Sequence, residues 1–312
     1  TEMTNKSFPV GFILFGFSEW PQLERVLFWI IAVCYTMIIL SNSTIILLCC
    51  IDPRLYTPMY FFLSNLSILE LCFTTATMPQ MLLNLWGPDK SISYTGCVIQ
   101  VFIFLCVAAT ECILLVVMAF DRYVAVCQPL RYTIIMNPPL CWKLALVAWM
   151  SGLMESLIQS SVTFQLPFCS HHVLDDFLCE VTSLIRLTCA DTSSNEWQIT
   201  LSAVIFTMLP MGLIMTSYGF IAQAVGKMKS EEGKQRAIAT CSSHLLVVFM
   251  FYGTGAVVYT DPKKSIASQH GKFFTFFYTV VTPLLNPLIY TLRNKDVKDA
   301  LKRMLRKGFS IW

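Results

Sequence analysis

Asp121-Arg122-Tyr123 sets an acid, a guanidinium and a phenol side by side at the end of a long apolar run. A charged pair there is costly unless internally matched, so its chemistry is that of an electrostatic switch rather than of bond making. A second constellation is Asn42, Glu70, Glu111 and Asn286, each near the middle of its own apolar run. Two carboxyls in one dry core cannot both stay ionised without compensation. Either a cation lies between Glu70 and Glu111 or at least one of them holds a proton. Signatures of bond-making chemistry are missing: there is no His-Glu-x-x-His, no nucleophile elbow and no dinucleotide fingerprint. His171-His172 lacks a third ligand at usable spacing for a metal. The chain is therefore expected not to be an enzyme and to need no cofactor, a cation at Glu70 and Glu111 being one of the two alternatives.

These residues sit in elements that water could not support. Of the 312 residues, 55% are hydrophobic and 13% charged, against about a quarter charged in soluble domains. Seven runs of mainly apolar character are each long enough to cross a hydrocarbon core of about 30 Å. They cover 26–50, 58–85, 96–127, 140–163, 197–225, 237–260 and 273–292. Strands of a membrane barrel would be short and alternating, so the predicted fold is an all-α membrane protein, a seven-transmembrane helix bundle. Residues 1–25 form a tail before it, 164–196 a long loop within it, and 293–312 a tail after it. Val297, Ala300, Leu301, Met304 and Leu305 recur at helical spacing opposite Lys298, Lys302, Arg303 and Arg306. That pattern predicts an amphipathic helix on the inner leaflet, with membrane lipid as its partner.

Orientation follows from charge. Of 22 Lys and Arg, 15 fall on the side holding the C-terminus and 7 on the other, which puts the C-terminus in the cytoplasm and the N-terminus outside. The sequon Asn5-Lys6-Ser7 lies in the outer tail and is the expected glycosylation site; those at Asn42 and Asn65 are buried in spans. Cys97, Cys169, Cys179 and Cys189 fall outside, where thiols oxidise, and four cysteines allow three pairings. The +3 formal charge gives no reason to expect nucleic acid. A transporter would show an internal repeat or broken helices in matched halves, and neither is visible.

Four motifs carry a resemblance: Pro58-Met59-Tyr60-Phe61-Phe62-Leu63-Ser64-Asn65-Leu66-Ser67, Met118-Ala119-Phe120-Asp121-Arg122-Tyr123, Ala239-Thr240-Cys241-Ser242-Ser243-His244-Leu245 and Pro283-Leu284-Leu285-Asn286-Pro287-Leu288-Ile289-Tyr290. In that order the chain resembles the olfactory receptors, a branch of the rhodopsin-like G-protein-coupled receptors. Val173–Glu196 looks most like the tetrapod-type family two. The resemblance implies a plasma-membrane receptor for a small volatile, mainly hydrophobic neutral ligand, coupled to a stimulatory G protein that raises cyclic AMP. It implies that Arg122 leaves Asp121 to meet the G protein, with Tyr218 and Tyr290 supporting the open state. It also implies disulfides Cys97–Cys179 and Cys169–Cys189. Glu111 matches an acid typical of the family, while Glu70 is one methylene longer than the usual Asp of the wider superfamily's sodium site. Span six begins with Lys234 and Arg236 rather than an acid, so Arg122 finds no carboxylate there, and His244 and Tyr218 are expected to offer polar contacts. The ligand is expected between the outer halves of spans three, five, six and seven. Phe104, Leu105, Ala108, Ala109 and Cys112 share one face of span three. By family position Ser202, Ala203, Phe206, Thr207, Tyr252, Gly255, Tyr259, Phe276 and Thr279 face them. An acid at position 104 would suit an amine, but Phe104 stands there. Glu155 in span four fits three places, in the pocket, beside Gln159, or protonated toward lipid.

Overall fold

The computed structural model describes residues 11–18, 20–168, 172–260, 272, 275–293 and 295–309. Asn5, the glycosylation call, lies outside them. In chain order the helices are α1 (Pro21–Ile51), α2 (Pro58–Trp86), α3 (Tyr94–Cys127), α4 (Tyr132–Ile135), α5 (Pro138–Phe164), α6 (Val181–Ile185), α7 (Ser193–Ala203), α8 (Leu209–Lys227), α9 (Glu231–Thr260), α10 (Thr282–Arg293) and α11 (Lys295–Phe309). Among the described residues six helical stretches are long and apolar enough to cross a membrane, α7 and α8 together forming one of them. The seventh expected span is described from Thr275 onward, as a helix that includes α10.

Helix starts follow their caps. Proline opens α1, α2 and α5, where a missing N–H costs nothing. Ser93 Oγ accepts from Gly96 N at 3.1 Å to start α3, and Asn137 Oδ1 from Leu140 N at 2.9 Å to start α5. These polar first turns lie beyond the apolar runs. Hence α1 begins at Pro21 rather than Val26, and α9 at Glu231 rather than Ala237.

The fifth span is interrupted by a π-helical turn, Val204–Met208, and a second, Phe277–Val281, precedes α10. Each ends two residues before a proline, Pro210 or Pro283. Proline removes one donor and crowds the carbonyl four residues back, so the preceding turn widens.

Burial is inverted relative to a soluble protein. Trp29, Leu40, Leu83, Leu146 and Phe249 are exposed, while Asn42, Glu70, Thr77, Thr110, Glu111, Ser156 and Gln159 are buried. An apolar outer wall around a polar interior suits lipid as solvent. Helix α3 lies at the centre, packing on α2, α5 and α8.

A small sheet adds to the all-α expectation. Strand β1 (Gly11–Leu14) pairs antiparallel with β2 (Ser91–Ser93) and parallel with β3 (Val173–Leu174). The outer tail is thus tied to the loops by backbone hydrogen bonds, and Phe12 and Leu14 are buried beneath it. Cys97 at the top of α3 is disulfide-bonded to Cys179 in the long loop. Cys189 is also disulfide-bonded; its expected partner, Cys169, lies outside the described residues. At the other end, α11 turns Val297 and Ala300 into the bundle, where both are buried. Arg303 Nη2 pairs with Asp52 Oδ2 at 2.6 Å and Tyr60 donates to Asp296 at 3.1 Å. Part of the apolar face read as membrane-facing therefore meets protein.

Candidate functional site

A cavity of about 210 Å³ opens between α3, α5, the π-turn of the fifth span, α9 and the start of α10. Phe104, Leu105, Ala108, Ala109 and Cys112 all line it, as their shared helix face requires. Ser202, Ala203, Phe206, Thr207 and Tyr252 line it too, and Tyr252 donates to Cys112 O at 3.3 Å, joining α9 to α3. Two of the expected residues do not line this cavity. Phe276 packs in a separate apolar cluster and Thr279 is fully buried away from the cavity. The π-turn Phe277–Val281 holds one extra residue, which shifts the register so that Tyr278, Thr282 and Pro283 take the lining positions. The side chains of Gly255 and Tyr259 lie outside the described set.

Sequence reasoning left Glu155 among three places and missed Gln159 and Glu180 as parts of the wall. Glu155 lines the cavity and accepts from Ser202 Oγ at 2.6 Å, which settles its place. Gln159 and Glu180 line it as well. The disulfide fixes Cys179 over α3, and Gln100 Oε1 accepts from Cys179 N at 2.8 Å, so the next residue, Glu180, faces the bundle. The available signal was adjacency to an anchored cysteine. Burial pushes the Glu180 carboxyl well above the usual carboxylate range, with the Asp176 charge adding to it.

Asp176 is itself buried in the loop and accepts from Phe177 N at 2.7 Å. Burial pushes its carboxyl up to about 7, against hydrogen bonds from Phe177 and Thr275; Asp175 adds to the rise and Lys272 opposes it. An unfolded Asp titrates near 4. Between about pH 4 and 7 the folded loop therefore holds a proton that the unfolded chain releases, and stability falls as pH rises through that window. The melting temperature of purified protein should drop between pH 5 and 7.5. Asp176→Asn should flatten that drop, and an unchanged slope in this variant would assign the dependence to other groups.

Deeper in the bundle, Asn286 Nδ2 donates to Glu70 Oε1. Glu111 and Glu70 both face the cavity, and Glu111 Oε1 and Asn286 Oδ1 are buried without a hydrogen-bond partner among the described residues. The unmatched atoms are oxygens, which suit a sodium ion or a shared proton alike. Asn42 is not part of this group: its amide donates to Ile38 O in its own helix at 3.1 Å.

At the cytoplasmic end, Arg122 Nε lies 3.0 Å from Asp121 Oδ2, and Tyr132 donates to Asp121 Oδ1 at 2.7 Å. Asp121 is completely buried. Tyr218 Oη and His244 Nδ1 are 2.8 Å apart with their rings stacked. Tyr290 is buried with its hydroxyl unmatched. Tyr123 stands apart, its ring edge-on to Phe220.

The olfactory receptor family model matches residues 31–308. The chain belongs to the olfactory receptor family. It is 57% identical over 305 residues to Olfactory receptor 2H1 of Homo sapiens, covering 98% of this chain and 96% of that one. It is likewise 57% identical over 307 residues to Olfactory receptor 2C1 of Mus musculus, covering 98% of each, and 54% identical to Olfactory receptor 2G6 of Homo sapiens over 97% of this chain and 96% of that one. As an olfactory receptor it is a multi-pass plasma-membrane protein and not an enzyme. Membership implies a small-molecule ligand and a G-protein partner. The receptor's cavity lies against the middle of α3, and its Asp121–Arg122 pair lies toward the C-terminal end of the same helix.

Proposed function

We propose that this receptor binds a small volatile, mainly hydrophobic neutral molecule in the cavity and activates a stimulatory G protein, raising cyclic AMP. The observation that carries this reading is the lining. It is mostly carbon from α3, the fifth span and α9, with hydroxyls, the Gln159 amide and the carboxyls of Glu70, Glu111, Glu155 and Glu180 interspersed, and no Lys, Arg or His among the described residues. Such a wall favours a compact apolar guest and gives an anion no partner. Phe73, Phe104 and Tyr278 form an aromatic row, with centroids 5.8 and 6.0 Å apart. Helix α3 then links the guest to Arg122. A sodium ion or a proton at Glu70 and Glu111 supplies charge balance in the core.

Ala108 tests the reading. Its small side chain leaves space beside Phe104 and Cys112, and Ala108→Leu fills that space with three heavy atoms. Each buried methylene of a displaced ligand is worth about 0.8 kcal/mol, so losing two should weaken potency by about ten-fold. The loss should grow with chain length along a homologous odorant series, read as cyclic AMP at matched surface expression. An unchanged response to the whole series would place the ligand elsewhere.

A further inference from the structure

The cavity wall is not uniformly indifferent to polar groups. Gln159 on α5 is 2% exposed, and both its amide nitrogen and its amide oxygen lack a hydrogen-bond partner among the described residues. Glu180, at the start of α6, is 8% exposed, and its Oε1 is equally unmatched. Helices α5 and α6 pack on each other, and both side chains line the same cavity. The neighbouring Glu155 differs, since Ser202 already donates to it. A buried amide or carboxyl left unmatched is destabilising, and a guest that completes its hydrogen bonds gains that difference.

Resting on the reading that the ligand occupies this cavity, we propose that Gln159 and Glu180 form a hydroxyl subsite, so that the receptor prefers apolar alcohols to carbonyl compounds and hydrocarbons of equal length. Between them these two residues leave unmatched one amide donor and two oxygen acceptors, while Glu111 Oε1, deeper in the same wall, is a further unmatched acceptor. A hydroxyl both donates and accepts. It can take a hydrogen bond from Gln159 Nε2 while giving its own proton to Glu180 Oε1 or Gln159 Oε1. An aldehyde, ketone or ester oxygen only accepts, leaving both acceptors bare. A hydrocarbon matches none. An ammonium donates but cannot accept, so Gln159 Nε2 stays unmatched. A carboxylate meets Glu70, Glu111, Glu155 and Glu180 with no cation in the wall. A site built around hydroxyl hydrogen bonds also discriminates strongly against analogues lacking the group.

Tyr278 and Thr282 in the same wall also carry unmatched hydroxyls. Those rotate to donate or accept, so they impose no particular functional group. The fixed amide of Gln159 does.

The test uses full-length receptor in cells, with cyclic AMP read against straight-chain C5 to C9 primary alcohols, their aldehydes, alkanes and primary amines. Alcohols should be at least about ten-fold more potent than aldehydes of the same length. In Gln159→Leu and Glu180→Leu that ratio should fall to within about three-fold at matched surface expression, with the alcohols losing more potency than the aldehydes. Tyr278→Phe should keep the ratio. The hydroxyl subsite is overturned if aldehydes or amines match the alcohols, if the alcohol panel is silent, or if Tyr278→Phe alone removes the preference. It is also overturned if the leucine variants lower every ligand class equally. Ala108→Leu separates this from failure of the cavity itself. A chain-length-dependent loss there with no hydroxyl preference sinks the subsite only, while no loss in any series sinks the cavity as well.

Discussion

Arg122→Ala should abolish the cyclic AMP response at a surface density where wild type responds fully, while Asp121→Asn should raise the basal signal. In the structure the guanidinium is held by its own neighbour. Asp121 is buried and accepts from Arg122 through Oδ2 and from Tyr132 through Oδ1. The only acids in the first turn of α9, Glu231 and Glu232, are exposed, so Asp121 supplies the carboxylate that restrains Arg122. Charge-assisted hydrogen bonds contribute about 1.5–3 kcal/mol net. Converting Asp121 to the neutral amide weakens both contacts and should shift the closed-to-open balance about ten-fold or more. Removing Arg122 has the opposite consequence, because the group proposed to meet the G protein is gone however open the bundle becomes. The alanine leaves Asp121 buried with only Tyr132, which threatens folding as well, so Arg122→Lys serves as the companion variant. It keeps the charge but loses the planar fork, and should reach the surface yet respond weakly. A full response from Arg122→Ala would show that the signal runs through other residues. Unchanged basal activity in Asp121→Asn would show that this pair does not hold the resting state.

The parts of the molecule legible in the sequence are those specified locally. Apolar runs locate the spans, the excess of basic residues sets orientation, and the 3.6-residue period puts Phe104, Leu105, Ala108, Ala109 and Cys112 on one face. The structure keeps all five in the cavity wall. What depends on a register or on a distant chain segment was not legible. The π-turn before Pro283 rotates the seventh span, so Tyr278 lines the cavity where Phe276 and Thr279 were expected. No hydropathy count detects one extra residue in a helical turn. The outer sheet is built from strands of two to four residues, too short for an alternating pattern to show. Glu155 and Glu180 were visible as acids, but their roles depend on Ser202, forty-seven residues beyond one of them, and on the disulfide beside the other. Asn42 shows the limit of depth alone. Equal depth in the membrane suggested a shared network, while in the structure its amide nitrogen donates to Ile38 O of its own helix.

Gly152→Ala should nearly eliminate the receptor from the cell surface, a large effect for one methyl group on a lipid-embedded helix. Helices α3 and α5 approach closely at this residue. A Cβ at Gly152 would come under 3.0 Å from the Cys106 carbonyl oxygen, Thr110 Oγ1 and Thr110 N, two of which belong to the backbone and cannot rotate aside. Small residues at helix crossings provide this kind of approach in membranes, where packing drives association. The methyl forces the helices apart, and overpacking of a filled interface costs about 1–3 kcal/mol or more. Since α3 also packs on α2 and α8, its displacement disturbs both the cavity and the Asp121–Arg122 pair. Surface density should fall by about ten-fold, as expected for a loss of about 1.4 kcal/mol or more in a marginally stable fold. Gly212→Ala and Gly219→Ala are the controls. A Cβ at either meets nothing within 4 Å, and alanine is the better helix former by about 1 kcal/mol, so both should express at least as well as wild type. Thr110→Ala separates the two sources of crowding. Alone it removes a hydroxyl bonded to Cys106 O at 2.7 Å and should be tolerated. Combined with Gly152→Ala it relieves only the side-chain clash, so expression should stay low. Recovery in the double variant would place the constraint in the Thr110 side chain, and normal expression of Gly152→Ala would mean that α3 and α5 are not locked at this crossing.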